Sequence, residues 1–354
     1  YYKKKLSLYK MSFTYYIVSK YLDIPEVDKI MERRGIWRKY KKEDKEELSF
    51  FHIDGGENMR NKEYYSLVAE MKNVLGDRKK EIIRKDRLYH NLQKVKGGKK
   101  FIVENYNIDY KNWRKEIKNI TIDDIWIVKP VGGVEGKWVR VIDSKEELVN
   151  YFEKINTKYF FKSLKNYFVV QRYIKNPLLI KGRKFHLRVH LAFFQKECFI
   201  MDKFIVITAK DKYVQGDYKN NKIHDSHADG TLRGLFFPDS FTFLSKKDKE
   251  KIMKDIISLF RKVKMIYKES CYQENKFCYE VFGADVMILE DLSVKILEVN
   301  GRIGFTSREG KRLNYPGTNK EYKTVLFESE MVDIVDRVFS PSRKIDNESR
   351  FIKL

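Results

Sequence analysis

A nine-residue stretch in which polar and apolar side chains alternate from its second residue onward constrains the fold of this chain most. Residues Arg183–Leu191 read Arg-Lys-Phe-His-Leu-Arg-Val-His-Leu. Successive side chains of a β-strand point to opposite faces, so this period predicts a strand with one buried face. The other face would carry Lys184, His186, Arg188 and His190. These side chains repel one another unless an anion faces them, so this face is either a phosphate-binding wall or an ordinary solvated surface.

Strands and amphipathic helices are mixed along the rest of the chain. Strands are predicted at residues 13–18, 125–128, 138–142, 167–174, 284–289 and 294–299. Helices are predicted at residues 25–33, 66–75 and 248–268. The last helix would have one apolar face, formed by Ile252, Ile256, Ile257, Phe260 and Val263. Strand pairs mixed with helices predict an α+β fold with largely antiparallel sheets.

The charge balance limits the classes of partner that suit this chain. Its 354 residues include 73 basic and 50 acidic side chains, a formal net charge of +23. This excess indicates a polyanionic partner such as nucleic acid, an acidic peptide or a nucleotide. Three scattered cysteines (Cys198, Cys271 and Cys278) do not form a disulfide or zinc pattern and favour a reducing, cytoplasmic location. No apolar run reaches membrane-spanning length, so no membrane partner is expected.

A glycine-rich loop separates two of the predicted strands. Residues 129–137 read Lys-Pro-Val-Gly-Gly-Val-Glu-Gly-Lys, with Lys129 at the start and Gly133 and Gly136 inside the loop. Glycines let backbone N–H groups approach an anion closely, which suits a phosphate. An ordinary hairpin turn also explains the glycines, and the pattern of a P-loop is absent.

Two carboxylates are predicted to face each other in the hairpin formed by residues 285–300. With a two-residue turn at Asp291-Leu292, Asp285 lies opposite Glu298, and Asn300 lies on the same face. Opposed carboxylates repel, and magnesium relieves that repulsion by accepting their oxygens together with phosphates. A solvent-facing carboxylate is the alternative. Together, a glycine loop, a basic strand and a magnesium hairpin are the parts that hold ATP and activate its γ-phosphate.

Five motifs in a fixed order resemble the tubulin–tyrosine ligase family. They are Trp126-Ile127-Val128-Lys129-Pro130, Val170-Gln171-Arg172-Tyr173-Ile174, Gly182-Arg183-Lys184-Phe185, Phe282-Gly283-Ala284-Asp285 and Leu297-Glu298-Val299-Asn300-Gly301. The final residues Phe351–Leu354 resemble the end of the family's tyrosine ligases. The family consists of ATP-grasp enzymes and includes tyrosine ligases, polyglutamylases and glycylases. The resemblance implies an ATP-grasp fold with an acceptor-side domain at residues 11–82, a central domain at 83–172 and a C-terminal domain at 173–354.

The same resemblance implies a role for each site residue. Lys85, Lys129 and Lys184 would contact the phosphates of ATP, with the glycine loop, including Gly133 and Gly136, beside them. The adenine site would be lined by Gln171, Arg172, Tyr173 and Ile174. Magnesium would be held by Asp285, Glu298 and Asn300. Catalysis would rest on Arg188, which faces the acyl phosphate, together with Lys184 and His186.

The implied reaction is a ligation. The γ-phosphoryl group of ATP would pass to a carboxylate, and the amine of a free amino acid (tyrosine or glutamate) would attack the acyl phosphate. The expected acceptor is an acidic protein tail, with tubulin as the leading candidate, and the expected state is a monomer. A kinase or ligase acting on a small polyanion is the alternative enzyme, and a homologue that binds ATP or the tail without turnover is the alternative non-enzyme. No nucleic-acid partner is expected, because no nucleic-acid module is recognisable.

Three positions depart from the family pattern, all on the substrate side. His186 stands where the family has aspartate, and Ile207 aligns with a family arginine. His224-Asp225-Ser226-His227 stands where the family has His-Leu-Thr-Asn. The missing arginine would remove a fixed cation from beside the reacting carboxylate, which His186 or Lys210 could replace. A zinc site at His224 and His227 is a further alternative, although a third ligand is not evident.

Overall fold

A computed structural model describes most of the chain. It covers residues 13–18, 24–41, 43, 48–53, 69–73, 80–131, 138–155, 167–194, 197–224, 235–267, 277–301 and 351–354. Within these residues, no helix combines the length and the apolar character needed to cross a membrane.

The N-terminal strands pair in parallel. β1 (Phe13–Val18) pairs with both β2 (Trp37–Lys39) and β3 (Leu48–Ile53), and β3 pairs with β4 (Ala69–Asn73). The helix α1 (Ile24–Arg34) lies between β1 and β2 in the sequence, as parallel neighbours require. The strand predicted at residues 13–18 and the helix predicted at residues 25–33 are confirmed.

A separate four-stranded sheet follows the N-terminal strands. In chain order the elements are α2 (Lys80–Ile83), α3 (Lys85–Lys94), β5 (Asn105–Asp109), α4 (Trp113–Glu116), β6 (Trp126–Pro130), β7 (Arg140–Ile142), α5 (Lys145–Lys154) and β8 (Tyr167–Arg172). The strands are antiparallel in the order β5-β8-β6-β7, which we call the small sheet. The strands predicted on both sides of the glycine loop are therefore confirmed as the hairpin β6–β7.

The remaining strands join the N-terminal set in one twelve-stranded sheet, which we call the large sheet. In chain order they are β9 (Leu179–Ile180), β10 (Arg183–Phe194), β11 (Glu197–Met201), β12 (Phe204–Thr208), β13 (Phe236–Phe237), then the helix α6 (Lys246–Ile266), β14 (Phe277–Ile288), β15 (Val294–Asn300) and β16 (Phe351–Lys353). The main order is β13-β12-β10-β14-β4-β3-β1-β2, and β15 pairs with β14. The pairs among β9 to β16 are antiparallel, whereas β14 meets β4 in parallel.

The helix predicted at residues 66–75 is wrong, because this segment contains β4. Ala69, Met71 and Lys72 favour helices in isolation, which explains the error. In the structure β4 lies between two strands, and Met71 is opposite both Phe50 of β3 and Phe277 of β14. Pairing on both sides outweighs helix preferences that differ by only about 0.7 kcal/mol per residue or less.

The two sheets share the main hydrophobic core. One face of β10 contributes Phe185, Leu187, Val189 and Leu191, all buried, as the alternation predicted. The predicted apolar face of α6 packs against it, with Ile252, Ile256, Phe260 and Val263 buried and Ile257 partly buried. The small sheet contributes Val131 and Val169 from one face, and its other face packs on a second core that contains Trp126, Phe152 and Phe168. Lys129 and Gln171 therefore lie on the face of the small sheet that contributes Val169 to the main core, and they alternate with Val128 and Val170 of the other face.

The β14–β15 hairpin reaches its predicted register by a different route. Leu289 N donates to Ser293 O, so the turn contains residues 290–292 rather than two residues, and Leu292 has a φ of 63°. Such three-residue turns commonly end with a left-handed residue. A bulge between Asp285 and Val286 then shifts the register by one residue, so that Asp285 still faces Glu298. The predicted turn is wrong, but the predicted carboxylate pair is confirmed.

Candidate active site

The carboxylate pair of the hairpin is tied together by an amide. Asp285 is opposite Glu298 in the ladder, and Asn300, opposite Gly283, is two positions further along β15. The side chains of Asp285, Glu298 and Asn300 therefore lie close together. Asn300 Nδ2 donates to Glu298 Oε1 at 3.0 Å and more weakly to Asp285 Oδ2 at 3.4 Å. Asp285 is buried, which contradicts the solvent-facing alternative for that residue.

Each carboxylate also has a cationic partner from another element. Arg188 of β10 donates to both oxygens of Asp285, at 2.5 Å from Nε and 3.1 Å from Nη2. Lys85, the first residue of α3, lies with its Nζ 2.7 Å from Glu298 Oε2. Burial acts to raise the pKa of Glu298, but Lys85, Asn300 and Arg188 outweigh it and hold this pKa well below its usual value. Glu298 is therefore an anion at neutral pH.

Two more lysines converge on this place from opposite sheets. Lys129 of β6 donates to Gln171 Oε1 at 2.9 Å, and Lys184 of β10 donates to Tyr173 Oη at 3.1 Å. Burial and the neighbouring charge of Lys85 lower the pKa of Lys129 to about 8. Burial and the neighbouring charge of Lys129 lower the pKa of Lys184 to about 7. Lys85 thus acts on Lys129, and Lys129 acts on Lys184, so the three lysines form a cluster that an anion would stabilise.

Aromatic side chains surround the Lys184 end of the cluster. The Lys184 ammonium lies 4.3 Å from the ring centre of Tyr173 and 6.0 Å from that of Tyr213. Tyr218 and His224 pack on Tyr173, with ring centres 5.1 and 5.5 Å away. Burial and the charge of Lys184 lower the pKa of His224 to about 4, so this ring is neutral at neutral pH. Cations against aromatic faces gain stability where water is excluded.

The basic face of β10 is not an ordinary solvated surface. His190 is buried with its Nδ1 3.2 Å from Met201 Sδ, while Lys184, His186 and Arg188 are partly buried. His186 Nε2 lies 3.8 Å from Asp285 Oδ2, and the residue opposite His186 in the neighbouring strand β12 is Ile207. The face is thus covered and lies beside the carboxylate pair. A phosphate-binding role for this face remains a prediction.

Some residues of the predicted site lie elsewhere. The Arg172 side chain is on the opposite face of β8 from Gln171, where it contacts Glu104 and Asp123 and lies over Trp126. Tyr173 is buried and Ile174 is partly buried, directly after β8. The predictions for Gly133, Gly136 and His227 fall outside the described residues. Among the residues that are described, no group of three or more His, Cys, Asp or Glu side chains could hold a metal ion.

The structure adds residues that the sequence patterns did not reveal. The Tyr89 hydroxyl donates to the backbone oxygen of Leu297, next to Glu298. A Cβ atom at Gly283 would lie 2.9 Å from Arg188 Cδ, so the absence of a side chain there lets Arg188 reach Asp285. Gly283 stood within one of the quoted motifs, but its steric role depends on a cross-strand distance that no sequence spacing provides.

The side chains present suit a magnesium–nucleotide ligand. The buried amide nitrogen of Gln171 makes no hydrogen bond of ordinary geometry among the described residues, although the side chain acts on the nearby Tyr89 hydroxyl, so it can donate to a bound group. Two opposed carboxylates with an amide alongside match the oxygen donors that Mg²⁺ accepts in addition to phosphates. The amide of Asn300 would have to turn its oxygen, rather than its nitrogen, toward such an ion.

Known proteins resemble this chain over much of its length. The sequence pattern of the tubulin-tyrosine ligase family matches residues 68–227 and 238–307. A probable tubulin polyglutamylase of Caenorhabditis elegans is 25% identical over 290 residues, which covers 72% of this chain and 66% of that protein. A probable tubulin–tyrosine ligase of Schizosaccharomyces pombe is 25% identical over 243 residues, which covers 60% of each. The chain thus spans about two thirds or less of the length of these relatives.

A solved structure with the same fold is the C-terminal domain of Pby1 from K. lactis, described as an ATP-grasp enzyme that interacts with the mRNA decapping enzyme Dcp2. The TM-score is 0.61 at 19% sequence identity, and the match covers 97% of this chain and 98% of that one. The α+β class and the ATP-grasp fold predicted from the sequence are therefore confirmed. Because the family pattern extends over more than half of its residues, this chain belongs to the tubulin-tyrosine ligase family.

Proposed function

We propose that this chain is an ATP-dependent carboxylate–amine ligase that joins tyrosine or glutamate to an acidic protein tail, with tubulin as the leading acceptor. The observation that carries the proposal is a lysine cluster next to the Asp285–Glu298 pair. Lys85 pairs with Glu298, Lys129 lies within the electrostatic reach of both, and Lys184 shares a face of β10 with Arg188, which binds Asp285. Lysines from three elements suit the negative phosphates of a magnesium–triphosphate complex, and the paired carboxylates suit its positive magnesium ion. The tubulin-directed names of the relatives favour a protein tail as the acceptor.

Each residue then has a defined task. The three lysines hold the phosphates, and Gln171, Tyr173 and Ile174 border the nucleotide on the small-sheet side. The hairpin residues Asp285, Glu298 and Asn300 would hold magnesium, which would supply positive charge beside the phosphates. Arg188 has five N–H donors, of which Asp285 engages two, so the others are available to a reacting carboxylate or acyl phosphate.

His186 is the substrate-side residue with the clearest consequence. It stands beside Asp285 and adjoins Lys184 and Arg188 on the same face of β10. An imidazole here adds no negative charge beside Asp285, where a reacting carboxylate would approach. Its position favours contact with the acceptor carboxylate or with the incoming amino acid.

Measuring ATP cleavage with different acceptors tests the proposal. Purified protein would receive ATP and magnesium with no acceptor, with tubulin-tail peptide plus tyrosine or glutamate, or with a small polyanion. A ligase gives tail-stimulated cleavage and a peptide heavier by one amino-acid residue in mass spectrometry. Stimulation by the small polyanion alone would replace the proposal with a small-molecule enzyme. Nucleotide binding without any cleavage would identify a homologue without turnover.

A further inference from the structure

A segment of the large sheet reaches across to the small sheet. Residues 209–224, which we call the strap, follow β12. The strap begins against the Lys184 strand, where Ala209 N donates to Lys184 O at 2.8 Å and Tyr213 N donates to Gly182 O at 2.8 Å. Its far end returns to the same place, because His224 packs on Tyr173.

Lys219, in the middle of the strap, contacts the small-sheet region. Its Nζ atom lies 2.8 Å from Asp143 Oδ2 and 2.7 Å from Glu147 Oε1. Asp143 directly follows β7, the second strand of the hairpin that carries the glycine loop, and Glu147 lies in the first turn of α5. Lys219 of the strap thus lies between two carboxylates at the start of α5, the helix that follows β7 of the small sheet.

Contacts that do not involve Lys219 hold its two acceptors, Asp143 and Glu147, in place. Ser144 caps α5 by accepting a hydrogen bond from Glu147 N at 3.2 Å. Glu147 turns its other oxygen, Oε2, to the backbone N–H of Asp143 at 3.1 Å. Capping of this kind fixes the side chain of Glu147. Holding one partner in place reduces the entropy lost when an exposed ion pair forms, which is the usual reason that such pairs contribute little.

The other contacts of the strap form the wall around Lys184. Tyr213 and Tyr218 lie against Lys184 and Tyr173, and the hydroxyl of Tyr213 donates to the backbone oxygen of Lys175 at 2.5 Å. His224 Nε2 donates to the backbone oxygen of Tyr218 at 2.9 Å. A displacement of the strap would therefore move the aromatic wall and expose Lys184 to water.

We propose that Lys219 is a positioning residue, which holds the strap against Asp143 and Glu147 so that Lys184 of the large sheet and Lys129 of the small sheet face one nucleotide. Lys219 acts through the strap and does not touch the ligand. This inference rests on the proposed function for its effect on ATP, whereas the closure of the strap is a property of the protein alone.

Steady-state kinetics of ATP cleavage test the effect on the nucleotide. Lys219→Ala should raise KM for ATP about threefold to tenfold, the range expected for one or two exposed ion pairs, and leave kcat close to that of the unmodified protein. Lys219→Arg should restore KM. Lys222→Ala is the matched control, because Lys222 is an exposed lysine of the same strap. Equal KM values for Lys219→Ala and Lys222→Ala would overturn the proposal.

A double-mutant cycle identifies the partners of Lys219. The pair of changes Asp143→Asn and Glu147→Gln should raise KM as much as Lys219→Ala, and adding Lys219→Ala to it should cause no further increase. Losses that multiply would show that Lys219 acts elsewhere and would overturn the proposal.

Hydrogen exchange separates strap closure from nucleotide binding. Without ATP, backbone amides of residues 213–224 should exchange faster in Lys219→Ala than in Lys222→Ala, because the strap opens more often. Faster exchange in a protein that binds no ATP would sink the proposed function and leave the role of Lys219 in strap closure intact. Unchanged exchange together with normal ATP cleavage would sink the role of Lys219 alone.

Discussion

At the scale of a single residue, Lys184 shows how the candidate site lowers the pKa of a buried lysine. Its ammonium group contacts the hydroxyl and ring of Tyr173. The charged group that acts on its pKa is another lysine, Lys129. Protonation of Lys184 is therefore unfavourable in the nucleotide-free protein and becomes favourable when phosphates arrive. Binding of the nucleotide and binding of protons are coupled as a result.

Nucleotide binding should take up protons near neutral pH. The pKa of Lys184 in the free protein is about 7 and that of Lys129 is about 8, and phosphates would raise both toward the ordinary value of 10.5. Between these limits the complex holds more protons than the free protein, so affinity falls as pH rises, by at most about tenfold per pH unit per proton. Calorimetry of ATP binding at pH 8 in buffers of different ionisation enthalpy measures the uptake. Lys184→Met should reduce it, and an uptake of zero in the unmodified protein would contradict this prediction.

The same lysine should lower the stability of the nucleotide-free protein. Its pKa is lower in the folded chain than in the unfolded chain, so the unfolded state binds more protons between pH 7 and pH 10.5. The free energy of unfolding therefore rises with pH across this window, and the destabilisation is complete below it. Lys184→Met should raise the melting temperature at pH 7 and should lose that advantage by pH 10. Denaturation followed by circular dichroism at both pH values checks the sign, and a variant that melts lower at pH 7 would refute it.

Gly283 should be intolerant of even one added methyl group. Gly283→Ala places a Cβ atom 2.9 Å from Arg188 Cδ and should displace the guanidinium from Asp285 at a cost of about 1–3 kcal/mol. Gly301→Ala is the control, because its Cβ atom would lie 3.4 Å from the nearest atom, Ile83 Cγ2. Melting temperatures of Gly283→Ala, Arg188→Ala and the double variant measure the coupling. The loss caused by Gly283→Ala should largely disappear when Arg188 is already alanine, and equal losses on both backgrounds would assign Gly283 a different role.

At the scale of the elements, the sequence predicted those whose pattern is local. β10 and α6 were predictable because their alternation or helical period directly reflects a buried face. β4 was not, because its strand conformation depends on β3 and β14, which are distant in sequence. The hairpin shows both cases: its turn length was predicted wrongly, and the bulge beside Asp285 restored the predicted register. The contacts of Lys85, Lys219 and Gly283 likewise join distant segments, and no spacing indicates them.

The hairpin as a unit should determine the use of magnesium. Asp285→Asn and Glu298→Gln each remove one ligand charge from the ion, so each should abolish magnesium-dependent ATP cleavage. Asp285→Asn also leaves Arg188 without its carboxylate, so it should lower the stability by about 3–5 kcal/mol, whereas Glu298→Gln should cost less because the Lys85–Glu298 pair is less buried. ATP cleavage as a function of magnesium concentration, with circular dichroism as the check of folding, tests both. A folded variant with full activity would remove the hairpin from the metal site.

For the molecule as a whole, the net charge of +23 is the feature that the proposed nucleotide site does not explain. A single nucleotide with its magnesium balances only a few of these charges, so the remainder is available to a larger anion. The proposed function assigns that anion to an acidic protein tail, and the solved relative from K. lactis is itself described as interacting with a decapping enzyme. The first test of the proposed acceptor is therefore whether binding depends on its negative charge. The identity of the acceptor can be tested afterwards.

Binding of an acidic tail should weaken steeply with salt. The Debye length shortens from about 10 Å at 0.1 M to about 3 Å at 1 M ionic strength, so a long-range attraction between the +23 chain and a polyanionic tail should largely disappear. Fluorescence anisotropy with a labelled tubulin-tail peptide measures this loss, and a peptide with glutamines in place of its glutamates is the control. His186→Asp, which introduces the family residue beside Asp285, should weaken binding of the acidic peptide further, because it adds a negative charge where the acceptor carboxylate approaches. Salt-independent binding, or equal affinity for both peptides, would exclude an acidic tail as the acceptor and leave the nucleotide site unaffected.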